Sequence, residues 1–249
     1  MVHATIPERQ AAAHRLAATL ALPVTTASTA PVQLLVTDHH LALCIAGLGS
    51  PIAVELQTGR AGYRRQHGGS ELLAKALGLR RRRHPHIIDA CAGLGQDAWV
   101  MAGLGCQVDL LERSPLVAAL LDDGLRRAAH TPEAQRVSLH CVDAHLHLAR
   151  LNPAQQPDIV YLDPMYPQRG KTALASKALR ALRVLVGDDT DADELFVMAR
   201  RCARHRVVVK RPRHAVLLGG AVPDLQYHGR STRFDVYLSV SAPPPSPHE

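Results

Sequence analysis

Apolar and polar positions follow two different rhythms along this chain. Between Glu8 and Leu20, Ala and Leu recur at helical spacing, which predicts a helix. Val32 to Val36 and Leu41 to Ala46 read as two β-runs around the polar turn Asp38-His39-His40, and Ile52 to Leu56 as a third. Ser70 to Leu79 predicts a short helix. The stretch from Gly59 to Gly69 is too rich in glycine and charge to lie inside an element, and reads as a basic loop. Together these segments predict a small α+β unit over residues 1–85.

From His86 the rhythm changes. Ile87-Ile88 opens a short apolar strand, Gln96 to Leu104 is helical, and Val108 to Leu111 is the next strand. A helix follows from Pro115 to Ala129, with proline in the first turn, where its missing N–H costs nothing. Val137 to Cys141 and Ile159 to Leu162 are strands. Lys171 to Val186 and Ala192 to Ala203 are helices separated by the acidic turn from Gly187 to Asp191. Val207 to Val209 and Phe234 to Val240 complete the strands. Strands alternating with helices predict a parallel sheet covered on both faces, here over residues 86–241. The proline-rich end, 242–249, reads as a disordered tail.

Composition narrows the class. A hydrophobic fraction of 47% and a charged fraction of 20% are globular values, which excludes a disordered chain. No run reaches the roughly 18 uninterrupted apolar residues of a membrane span, and the N-terminus has no long apolar stretch. The sequence therefore predicts a soluble, cytoplasmic protein with no membrane partner. The cysteines, Cys44, Cys91, Cys106, Cys141 and Cys202, are odd in number and widely separated. They form neither a disulfide framework nor a metal-ligand set, which points to reducing cytosol. The histidines lack a partnering Cys or carboxylate pattern, so no metal is expected.

Net charge is +7, and it is clustered. Between Arg60 and Arg83 eight Lys or Arg face one acid, Glu71. Arg200, Arg201, Arg204, Arg206, Lys210, Arg211 and Arg213 form a second cluster with no acid. Such patches suit a polyanion, because each neutralised phosphate releases counterions. A solvated basic surface has the same composition, so charge alone does not decide.

Four features carry candidate chemistry. The first is Asp89-Ala-Cys-Ala-Gly93-Leu-Gly95-Gln96-Asp97, where a strand gives way to a helix. Glycines there permit a tight turn and close backbone approach to a ligand at a partly positive helix end. Gly93, Gly95 and Ala98 also fit a dinucleotide pattern, so a nicotinamide enzyme stands beside a methyltransferase. The second is Glu112, at the tip of the strand Val108 to Leu111, placed to accept both hydroxyls of an adenosine ribose, which either cofactor carries. The third is Asp143, past the strand Val137 to Cys141, where a methyltransferase brings a polar side chain to the adenine edge. The fourth is Asp158-Ile-Val-Tyr-Leu-Asp163-Pro164-Met165-Tyr166-Pro167. Two prolines stiffen this turn and hold its carbonyls fixed. An aromatic amine is a poor nucleophile because its lone pair is delocalised into the ring. Acceptors held against its N–H bonds, here the Asp163 carboxylate and the Pro164 carbonyl, can direct that lone pair at a sulfonium methyl while Tyr166 stacks on the base. A nicotinamide enzyme has no use for this turn.

The glycine string, the run Leu111 to Leu125, and Tyr161-Leu-Asp-Pro-Met-Tyr-Pro167 closely resemble the RsmJ family, bacterial methyltransferases of guanine N2 in small-subunit ribosomal RNA. The likeness continues through Leu185 to Asp193, Arg206 to Pro212 and Arg233 to Tyr237, and upstream includes Tyr63 to Gly69, so it spans most of the chain from about Val54. The resemblance implies a Rossmann-like class I methyltransferase sheet with S-adenosyl-L-methionine (SAM) as cofactor and S-adenosyl-L-homocysteine as product. It implies a cofactor site made by Gln96 and Asp97 after the glycine turn, with Glu112, Arg113, Asp143, Ala144 and Asp163. The family pattern has Arg at the position of Gln96, two serines at Asp143-Ala144, and usually Phe at Tyr166. Residues 1–30 match poorly.

The expectation is thus an α/β enzyme that methylates guanine N2 in 16S rRNA, with that RNA or the small ribosomal subunit as partner. Asp163, Pro164 and Tyr166 are the catalytic candidates, and Arg64, Arg65, Lys210 and Arg211 those for the RNA backbone. Asp163 orients the amine and takes its proton after transfer, since a carboxylate of ordinary pKa near about 3.9 cannot deprotonate a neutral amine beforehand. The competing readings are a DNA or protein amine N-methyltransferase, a nicotinamide-dependent oxidoreductase, and a non-catalytic RNA-binding protein.

Overall fold

The computed structural model describes residues 1–25, 30–57, 71–81, 84–165, 177–187 and 189–239. The loop with Arg64 and Arg65, Tyr166 and Pro167, the first turns of the helix expected from Lys171, and the tail 242–249 lie outside the described residues.

The chain begins with a strand too short to stand out in the sequence, β1 (Val2–Ala4), which pairs in parallel with β2 (Val32–Val36). Helix α1 (Gln10–Thr19) lies between them, with Ala13 and Ala17 on its buried face. β2 turns back into β3 (Leu41–Ile45) through Thr37, whose Oγ1 accepts the amides of His39 at 3.2 Å and His40 at 3.0 Å. This side-chain capture of backbone donors makes the polar triplet a turn. β4 (Ile52–Ala53) ends far short of the expected Leu56. Val54 and Leu56 leave the ladder and are buried at 3% exposure each. Helix α2 (Glu71–Leu77) follows.

The larger sheet contains seven strands: β5 (His86–Asp89), β6 (Gln107–Glu112), β7 (Val137–Cys141), β8 (Ile159–Leu162), β9 (Arg206–Pro212), β10 (Leu225–His228) and β11 (Thr232–Leu238). Their spatial order is β10-β11-β9-β8-β5-β6-β7. β7, β6, β5, β8 and β9 run parallel, while β11 enters antiparallel to β9 and forms a hairpin with β10. The strand order reverses between β5 and β8, which opens a crevice beyond their carboxyl ends. The helices are α3 (Gln96–Gly103), α4 (Pro115–Arg127), α5 (Ala144–Ala149), α6 (Lys177–Val186) and α7 (Ala192–Cys202).

Alternation along the strands divides the core in two. Ile87, Val108, Ile159, Tyr161 and Val208 face α2, α3 and α4, where Leu77, Trp99 and Leu121 are buried. Ile88, Leu111, Val160, Leu162 and Val207 face α5 and α7, where Leu148, Leu195 and Phe196 are buried. Full burial of each such side chain contributes about 1.5–3 kcal/mol. The first cluster continues without a break into Val2, Leu34 and Leu43 of the four-stranded sheet. At this junction a Cβ on Gly124 would lie 2.5 Å from Val54 Cγ1, so glycine permits α4 and the N-terminal segment to touch. Among the described residues, no helix is long and apolar enough to cross a membrane.

Candidate cofactor and catalytic cleft

Past β5 the chain must turn sharply into α3. Gly93 and Gly95 take φ of +52° and +70°, and a Cβ on Gly95 would lie 2.6 Å from Leu121 Cδ1. Conformation and space both select glycine there. Glu112, at the tip of β6, is only 7% exposed. Its Oε2 accepts the Gly93 amide at 3.0 Å and its Oε1 the Ser114 amide at 2.7 Å, so one carboxylate ties the glycine turn to the start of α4. Burial raises its pKa, against those two bonds and the nearby Arg113, which lower it.

Asp143 caps α5. Its Oδ1 accepts the amides of His145 at 2.8 Å and Leu146 at 3.3 Å, and the Nδ1 of His145 lies 3.3 Å from the same oxygen. This cap explains a helix that the sequence pattern did not reveal. On the other side, the acidic turn closes on Met165: its amide donates to Asp189 Oδ2 at 2.6 Å, and its carbonyl accepts the Asp189 amide at 2.9 Å. Arg113 donates to Asp189 and, at 2.9 Å, to Asp191.

The carboxyl end of β8 carries a chain of charges. Tyr161 Oη donates to Asp97 Oδ2 at 2.7 Å, and Lys210 Nζ donates to Asp97 Oδ2 and Asp163 Oδ2 at 2.6 Å each. The two carboxylates raise the Lys210 pKa despite burial, so it remains an ammonium. Asp89, 2% exposed, lies beside this chain. Burial, together with Asp97 and Asp163, pushes its pKa up to about 8, while the Cys91 amide and Lys210 oppose the shift.

Gly93, Glu112, Arg113, Asp143, Ala144, Asp163 and Pro164 line one cleft, with about 630 Å³ of atom-free space continuous with solvent. Leu111, Val142, Ala192 and Leu195 supply apolar wall, as expected of a site for a largely apolar ring. Asp89, Gly95, Gln96 and Asp97 do not reach this wall. Met165, His145, Asp189 and Asp191 do, and the sequence reading assigned them no role. The signal available for the last two was the acidic turn, which had served only to separate helices.

Two expected RNA contacts are corrected. Lys210 turns inward to Asp97 and Asp163, because it shares the core-facing parity of Val208 along β9. Arg211 is 3% exposed and donates to the Val216 carbonyl at 2.6 Å; burial and neighbouring Arg233 lower its pKa to about 10. Other members of that cluster also hold the fold. Arg206 donates to the Ala76 carbonyl at 3.0 Å, Arg204 to those of Pro153 and Ala154 at 2.9 and 3.0 Å, and Arg213 to that of Gly229 at 3.1 Å.

Comparison with known proteins agrees with this geometry. Residues 15–239 match the family described as "Putative SAM-dependent methyltransferase". The ribosomal RNA small subunit methyltransferase J of Nitrosococcus oceani is 44% identical over 93% of this chain and 95% of its own. The protein of that name from Thioalkalivibrio sulfidiphilus is 47% identical over 91% and 92%. The crystal structure of a SAM-dependent methyltransferase from Neisseria gonorrhoeae superposes with a TM-score of 0.77 at 38% identity, covering 98% of each chain. With this match over nearly its whole length, the chain belongs to the SAM-dependent methyltransferase family that includes these methyltransferase J proteins.

Proposed function

We propose that this methyltransferase transfers the SAM methyl group to the exocyclic N2 of a guanine in 16S rRNA of the small ribosomal subunit. The observation that carries the reading is the Asp163-Pro164 turn, set at the carboxyl end of β8 on the wall of the cleft. The names of the relatives support an rRNA substrate, and the resemblance of the motifs supports guanine N2.

The residues of the cleft fit SAM chemically. Glu112 is a buried carboxylate with lone-pair capacity beyond its two amide bonds, suited to two ribose hydroxyls. The contacts of Asp143 fall on Oδ1, so Oδ2 suits the adenine amino group. Gly93 admits the close approach of the methionine portion. When bound, SAM supplies an electrophilic methyl on a sulfonium. The protein's own part is to orient the amine: Asp163 and the Pro164 carbonyl accept its hydrogens and so aim the lone pair, and Asp163 takes the proton once the nitrogen has become cationic. Tyr166 stacks on the base, and Arg64 and Arg65 hold the RNA backbone. A protein that acts in the cytoplasm on ribosomal RNA follows from the same reading.

The test is methyl transfer from labelled SAM to protein-free 16S RNA and to 30S particles, with mapping of the modified base by mass spectrometry. Label on guanine N2 at one site supports the proposal. Label on DNA or protein amines alone, or on none of these, overturns it.

A further inference from the structure

Lys210 has no place in the reading above, yet it holds Asp163, one of the residues that line the cleft, from behind. It ends the apolar run Val207–Val209 on β9, between β8 and β11 in the sheet. Its side chain is 22% exposed, and Nζ lies 2.6 Å from an oxygen of Asp97, on the first turn of α3, and 2.6 Å from one of Asp163, past the end of β8. Tyr161 donates to that same Asp97 oxygen at 2.7 Å. One ammonium therefore connects three separate elements, and one of its two partners is the carboxylate at the proposed target-amine position.

Two carboxylates near each other disfavour their joint ionisation, and a cation shared between them reverses that preference. A charge-assisted bond to one oxygen also restricts the swing of the whole planar group. An ammonium whose proton is stabilised by two anions is in turn a poor proton acceptor, so Lys210 is not the base of the reaction. We infer that Lys210 is a positioning residue for methyl transfer: shared between Asp97 and Asp163, it keeps the Asp163 carboxylate ionised and turned to one orientation toward the incoming amine. The inference rests on the role given to Asp163 above. The other titratable groups bearing on this cluster, among the described residues, are Asp89 at the end of β5, Cys91 beyond it, Asp189 of the acidic turn, and Arg211 beside Lys210.

The experiment uses the full-length protein and 30S particles, with single-turnover rates measured from about pH 6 to about pH 9 alongside SAM titration calorimetry and thermal unfolding. Lys210→Met should lower the rate by about 10²-fold at neutral pH, with SAM affinity changed far less. Its rate should climb with pH more steeply than that of the wild type, because Asp163 without the cation binds a proton that must be lost. Lys210→Arg should restore much of the rate, since a guanidinium supplies the same charge. If Lys210→Met fails to fold, Lys210→Gln, which keeps N–H donors for the two carboxylates but carries no charge, is read in the same way. A folded variant with wild-type rate and pH profile overturns the inference, as does a loss that is uniform across pH and unrelieved by Arg. A wild-type protein that methylates neither RNA substrate overturns the proposed function and the inference with it. An active wild type with an indifferent Lys210 variant overturns the inference alone.

Discussion

The tips of β6 and β8 each carry a carboxylate at the cleft, and the protein secures them by different means. Glu112 is held by the amides of Gly93 and Ser114, at 3.0 and 2.7 Å. Asp163 is held at 2.6 Å by the ammonium of Lys210, which Asp97 also engages. Amides are supplied by the backbone, so the β6 tip depends on the glycine turn and on no neighbouring side chain. An ammonium is one residue, and removing it changes both the direction and the charge of its partners. The rigid arrangement lies on the side read as binding the nucleoside. The charge-balanced one lies where, in the proposed reaction, a proton is received. The distinction suits a site in which one wall has only to bind while the other takes part in bond making.

Asp163→Ala makes the largest break in this comparison. Single-turnover methyl transfer should fall on the order of 10³-fold, with SAM affinity by calorimetry within a few-fold of wild type; near-normal turnover would remove the chemistry from the β8 tip. Glu112→Gln should do the converse. It replaces one acceptor oxygen by a donor facing backbone N–H groups, and the SAM dissociation constant should rise about 10- to 100-fold, with a smaller loss at saturating cofactor. Asp89→Asn sharpens the picture through pH. The folded protein holds the Asp89 proton up to about 8, against 3.8 for the ordinary side chain, so the folded state binds more protons across that window. Stability should therefore fall as pH rises from about 4 to about 8, and the Asn variant, which keeps an acceptor for the Cys91 amide, should show a flatter profile of unfolding midpoint against pH. Arg113→Ala should have the smallest effect. Arg113 is 35% exposed and its partners, Asp189 and Asp191, are partly exposed too. A loss of about 0.5–1 kcal/mol is expected, a drop of about 2–4 °C in the unfolding midpoint at most.

Much of this arrangement was legible in the sequence because apolar residues mark strands, as a run where both faces are covered, as in β8, and in alternation at the edge, as in β7, where no residue is buried. The runs at Val137 to Cys141 and Ile159 to Leu162 became β7 and β8 with those bounds, and the α4 helix starts at the expected Pro115. Short or polar elements were not legible. β1 has three residues, β10 reads Leu-Gln-Tyr-His, and α5 has six residues defined mainly by the Asp143 cap. In the cleft, Glu112 and Asp163 could be placed because each ends an apolar strand, and a side chain there faces the crevice. Lys210 was misplaced because a cluster of positive charge reads as surface. The strand period would have set it on the face of Val208, where a charge requires a partner. That partner, Asp97, is 113 residues away in sequence, a separation that spacing rules do not bridge.

The cap at Asp143 has a consequence for anyone redesigning cofactor preference. One carboxylate starts the α5 helix through Oδ1 and stands at the proposed adenine edge, so nucleobase choice and helix initiation draw on the same side chain. Alanine there would unwind a first turn at a cost of about 1 kcal/mol as well as erase the contact. Asparagine would keep the helix start through its carbonyl oxygen and turn the second position from acceptor to donor, which makes it the substitution through which the enzyme could be steered toward a modified cofactor.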